Sequence, residues 1–96
     1  RSRTAAAAYP DHQFVLYELG LSYASQNDFV AAARAFDAST EVDRLFAYAY
    51  YYSALACERL KRDDIMVIRL EAFVRLAPNA PERVQAESIL RTVRAR

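Results

Sequence analysis

Few side chains in this 96-residue chain could do chemistry: one histidine, His12, one cysteine, Cys57, the adjacent acids Asp63 and Asp64, and seven tyrosines. Acid–base or nucleophilic catalysis needs such groups within reach of one another, with a base to activate the nucleophile. His12 stands near a turn, ahead of the first long apolar pattern, where it reads as a solvated or capping residue. Cys57 falls on a face that should be packed between helices, and a thiol there behaves as a small hydrophobe. Asp63 and Asp64 would point about 100° apart on a helix, an arrangement that suits a helix start better than shared proton transfer. No group of ligands has metal-site spacing, and the lone Gly20 offers no phosphate loop. The expectation is a protein without catalysis, metal or cofactor.

The tyrosines are another matter. Residues 46–54 read "FAYAYYYSA", so Tyr48, Tyr50, Tyr51 and Tyr52 crowd into one short run. Tyrosine supplies contact area with few rotatable bonds and a polar tip, which suits binding surfaces as well as cores. Which rings do which depends on the elements that carry them.

One glycine, a hydrophobic fraction of 54% and a charged fraction of 26% point to an all-α chain. Sheets of this size need several positive-φ turn residues, whereas alanine and arginine favour helix. A net charge of +1 is no footprint for nucleic acid. No apolar run is long enough to insert in a membrane. The single cysteine allows no internal disulfide and leaves the compartment open. A start at Arg1 instead of methionine leads us to expect a piece of a longer protein.

Helical spacing recurs in blocks. Leu16, Leu19, Gly20 and Tyr23 mark one helix face from about His12 to Gln26, and Asn27 or Asp28 is placed to cap the next helix. That helix carries Phe29, Ala32, Phe36 and Ser39 inward. A third helix is expected from about Asp43 to Leu60 and a fourth from about Asp63 to Ala77; "PNAP" then leads to a fifth from Pro81. The stripe of the fifth is Ala86, Ile89, Leu90 and Val93, with charged residues elsewhere.

The chain also resembles itself. A shift that lays Phe14 on Tyr48 puts Leu16 on Tyr50, Tyr17 on Tyr51, Gly20 on Ala54 and Phe36 on Leu70. Pro10 and Pro78 are two such periods apart. The pattern "Leu16-x2-Leu19-Gly20-x2-Tyr23", followed by "Ala32-x3-Phe36", resembles the tetratricopeptide repeat, a helix-turn-helix unit with the same period. Leu16 stands where that family usually has tryptophan, and the second unit departs further, with Tyr50, Ser53, Ala54, Cys57, Met66 and Leu70. The resemblance implies a helical solenoid: residues 1–10 as the tail of a preceding repeat, repeats at 13–46 and 47–80, and a capping helix at 81–96.

The resemblance also implies a use. In that family the first helices of successive repeats line a concave groove that holds a partner. Here the groove would present Phe14, Tyr17 and Leu21 from one helix and Tyr48, Tyr51, Tyr52, Leu55 and Arg59 from the other. Val84, Glu87, Ser88 and Arg91 would form its far wall. Tyr17 and Leu21 stand where the family's polar clamp for carboxylate tails would be expected, so an apolar peptide or helix suits the groove better. The expected partner is another protein or peptide. Self-association, or a regulatory domain appended to an enzyme, are the alternatives. Of the crowded tyrosines, Tyr50 is expected in the core with Ala54 and Cys57, and Tyr48, Tyr51 and Tyr52 in the groove.

Overall fold

A computed structural model describes residues 11–96. The expected tail of a preceding repeat, residues 1–10, lies outside them. The described residues form five helices and no strand: α1 (His12–Ser25), α2 (Phe29–Val42), α3 (Ala47–Arg59), α4 (Asp63–Leu76) and α5 (Arg83–Arg94). Each helix packs on the next, and α1 also touches α3. Successive helices run antiparallel: the start of α1 meets the end of α2 through Ser39 Oγ, which donates to the Gln13 carbonyl at 2.7 Å. The extents are 44 × 29 × 22 Å. The architecture is all-α and repeat-like.

The period is visible in the backbone. The shift that lays Phe14 on Tyr48 also lays α2 on α4 end to end, Phe29 on Asp63 and Val42 on Leu76. Each of these helices is preceded by the same turn, in which Asn27 (φ 63°) and Lys61 (φ 62°) take the left-handed conformation. The Asp28 amide donates to the Tyr23 carbonyl and the Asn27 amide to that of Ala24; the Arg62 and Lys61 amides repeat this onto Cys57 and Glu58. Such paired bonds satisfy carbonyls that a helix end would leave open. Of the two expected cap candidates, Asn27 and Asp28, it is Asp28 that caps α2, its Oδ1 accepting from the Ala31 amide at 3.2 Å. Two expected boundaries move. Asp43 does not open α3; its carboxylate accepts from the Leu45 amide and its carbonyl from the Phe46 amide, so the chain turns before Ala47. α5 likewise begins at Arg83, after a turn through Pro81 and Glu82.

Two clusters make the core. Ala32, Phe36 and Ala56 join α2 to α3, with Tyr17, Leu21 and Tyr52 against them. Tyr51, Ala54, Cys57, Met66, Leu70, Phe73, Ala86 and Leu90 join α3, α4 and α5. Ile89 and Val93 pack against the second cluster, so the stripe expected of α5 is the one that docks. α3 is thus covered on two sides. Ala49, Ser53 and Ala56 are buried, as are Tyr51, Ala54 and Cys57. Gly20 lies under the Phe36 ring, where an added Cβ would be 2.6 Å from its edge.

A polar joint binds α2, α3 and α4. Asp37 Oδ1 accepts from the buried Ser53 hydroxyl at 2.8 Å and from Arg69 Nε at 3.2 Å. Asp37→Ala would leave the Ser53 hydroxyl buried without its acceptor, so we expect a loss of about 1–3 kcal/mol in urea unfolding. Asp37→Asn, which keeps an acceptor oxygen, should lose less. Equal loss in both variants would show that the charge on Arg69, not the buried hydroxyl, is what matters.

Candidate partner-binding surface

The expected groove residues come from α1 and α3, and the tertiary structure links most of their rings into one array. Phe14 meets Phe46 at 5.2 Å between centroids, and Phe46 meets Tyr17 at 4.9 Å. Tyr17 then contacts Phe36 and Tyr52, each at 5.9 Å. Tyr52 leads to Tyr51 at 5.1 Å, Tyr51 to Phe73 at 4.8 Å, and Phe73 to Tyr48 at 5.5 Å. Most of these contacts are tilted or edge-on, the arrangements the ring quadrupole favours.

Exposure divides the array. Phe14 is 49% exposed and Arg59 is exposed, while Tyr17, Leu21, Tyr48, Tyr52 and Leu55 are partly buried. Tyr51 is 7% exposed and belongs to the α3–α5 core. The expectation that Tyr51 faces a groove is therefore overturned: its ring is packed against Phe73. Tyr50, expected in the core, is only partly buried, and its hydroxyl donates to the Arg44 carbonyl at 3.0 Å. The reason is the double coverage of α3. With a neighbour on each side, the packed arc is wider than a single stripe, and it includes Tyr51.

Tyr48 is held from the far side. Its hydroxyl donates to Glu82 Oε1 at 2.8 Å, tying α3 to the turn before α5. Beside the array, a cleft of about 280 Å³ is lined by Ala24, Phe29, Phe36, Tyr52, Leu55, Ala56, Glu58 and Arg59. Small-molecule sites run from about 300 to 1,000 Å³, so this cleft has the size for one side chain of a partner. The Arg59 guanidinium lies over the Phe29 ring, 4.5 Å from its centroid, a cation–π contact that fixes one rim. Three expected residues, Tyr52, Leu55 and Arg59, meet in this cleft. Phe29, Phe36 and Phe46 were missing from the expected surface. No local pattern marks them, because Phe29 and Phe36 reach the surface from α2 and Phe46 from the turn before α3. Glu87 and Arg91, expected on the far wall of the groove, instead line a cleft between α4 and α5.

The phenols also carry an electrostatic signature. Burial pushes the Tyr17 phenol up to about 12, helped by the fields of Tyr52 and Glu18. The hydrogen bond to Glu82 raises that of Tyr48, and burial raises that of Tyr51. A raised phenol keeps its proton longer in the folded than in the unfolded chain. The stability this supplies is full below pH about 10 and disappears as pH rises toward 12. Alkaline unfolding should therefore accompany phenolate absorbance in that window, and Tyr17→Phe should move the onset to higher pH. An unmoved onset would show that Tyr17 does not control it.

Cys57 is buried among Tyr51, Ala54 and Met66, and burial, with the nearby Asp37 charge, pushes its thiol up. Among the described residues, no group of three or more His, Cys, Asp or Glu could hold a metal ion, and no helix is long and apolar enough to cross a membrane. No protein-family model matches the sequence, and a search of curated proteins finds no match either.

Proposed function

We propose that the chain is a protein-interaction module that holds a peptide or helix of another protein against the aromatic face of α1 and α3, with no chemistry of its own. The reading is in keeping with the resemblance to tetratricopeptide repeats. One observation carries it: a continuous array of rings that begins at the half-exposed Phe14 and runs through the partly exposed Tyr17 and Tyr52 to a side-chain-sized cleft. Rings already held by their neighbours lose little freedom on contact, which favours them as anchors. The experiment is photo-crosslinking in lysate of the native cells, with benzoylphenylalanine at position 14 or, as control, at position 34 on α2. Adducts to a discrete protein from position 14 and not from position 34 are expected. Equal adducts from both positions, or adducts from position 34 alone, would overturn the reading.

A second reading, self-association, has its own observation. Val15 and Leu19 are 62% and 43% exposed, yet the same positions one repeat later are Ala49 and Ser53, which are fully buried. The corresponding face of α1 is apolar and open among the described residues. Sedimentation equilibrium decides: mass rising with concentration, and restored to monomer by Leu19→Glu, would favour this reading.

A further inference from the structure

We infer that the cleft between α4 and α5 is a second binding site, specific for an acidic segment of another polypeptide. The cleft has a structural cause. α3 meets α2 through small residues, Ser53 and Ala56 among them, whereas α5 carries the larger Glu87, Arg91 and Arg94 on its side toward the cleft. Small residues let helices approach closely, and large ones hold them apart. α5 docks by Ala86, Ile89, Leu90 and Val93, and beside that stripe a cleft opens between α4 and the side of α5 that carries Glu87, Arg91 and Arg94. The space left is about 490 Å³, lined by Glu71, Val74 and Arg75 from α4 and by Glu87, Leu90, Arg91 and Arg94 from α5.

Charge bookkeeping gives the ligand. Both acids of the cleft are already satisfied: Glu71 pairs with Arg94, and Glu87 accepts from Arg83 Nε at 3.0 Å. Arg75 and Arg91 line the same cleft, and neither makes an ion pair among the described residues. Two uncommitted guanidinium groups stand over an apolar floor of Val74 and the buried Leu90. Guanidinium matches carboxylate in planar, paired hydrogen bonds. The occupant that answers all four residues has carboxylates for Arg75 and Arg91 and an apolar side chain for the floor. The lining follows both helices, from Glu71 to Arg75 on α4 and from Glu87 to Arg94 on α5, which suits an extended segment. This site faces α4, so it does not depend on the aromatic surface of α1 and α3. The competing explanation is that Arg75 and Arg91 merely complement the carbonyl ends of their helices.

The probe is a capped hexapeptide alternating glutamate and leucine, titrated into the full chain and followed by backbone amide shifts and calorimetry. Its glutamine counterpart is the control. We expect shifts at Val74, Leu90 and Arg91, binding that weakens as salt is raised, and a drop of about tenfold or more in affinity for Arg75→Gln/Arg91→Gln. The double lysine variant, which keeps the charge but loses the paired geometry, should bind more weakly than the parent and more tightly than the double glutamine variant. The proposal is overturned by absence of binding, by equal affinity for the glutamine peptide, by an unchanged double glutamine variant, or by shifts gathered at Tyr52 and Leu55. If the arginines serve only their helices, the glutamine variant lowers the melting temperature and no peptide binds, which also overturns it.

Discussion

Tyr51→Ala is expected to cost about 3–5 kcal/mol, close to the whole stability of a marginal domain of this size. The ring lies 4.8 Å from Phe73 and 5.1 Å from Tyr52, in the cluster shared by α3, α4 and α5. Removing it empties a site bounded by three helices, which cannot all close on the hole. Tyr50→Ala should cost only about 1–2 kcal/mol, because it removes part-buried area and one hydrogen bond to the Arg44 carbonyl. Urea unfolding of the two variants side by side is the measurement. Equal losses, or a larger loss at Tyr50, would refute the packing described for α3.

Phe36→Ala should be comparably severe, again about 3–5 kcal/mol. Phe36 is 1% exposed, stacks with Tyr52 at 6.0 Å and covers Gly20. Gly20→Ala has two opposed terms. Alanine in a helix interior gains about 1 kcal/mol over glycine, while a Cβ 2.6 Å from the Phe36 ring overpacks a site where such insertions cost about 1–3 kcal/mol. The buried ring has little room to retreat, so the overpacking term should win and the variant should be less stable than the parent. Once the ring is gone the clash is gone, and only the propensity gain remains. Gly20→Ala should therefore stabilise the Phe36→Ala protein while destabilising the parent. A double-mutant cycle measures this coupling; additive effects would mean that the ring moves aside freely.

The same contrast explains what could be read before the fold was known. α5 has one apolar stripe on an otherwise charged helix, so Ala86, Ile89, Leu90 and Val93 could be assigned to the docking face directly. The Asp28 cap was legible for a local reason, since its side chain reaches only the next turn. α1 and α3 offer no such contrast. Their apolar residues run nearly all round, and no polar residue marks the solvent side of Tyr48 to Tyr52. In that situation a ring about 100° from an assumed stripe can still be inside, and Tyr50 and Tyr51 exchange places between pattern and structure. The polar joint at Asp37 was equally invisible, because its partners are 16 and 32 residues away.

By itself, the sequence determined the all-α class, the internal periodicity, the turns before α2 and α4, and the docking stripe of α5. These follow from local propensity and from spacing along the chain. Only the tertiary structure decided which tyrosine is core, which rings join into one array, and which arginines are left without an acid. Those are set by how many neighbours each helix has and how closely they approach. Coverage on both sides buries Tyr51 within α3, and the cleft left between α4 and α5 takes in Arg75 and Arg91.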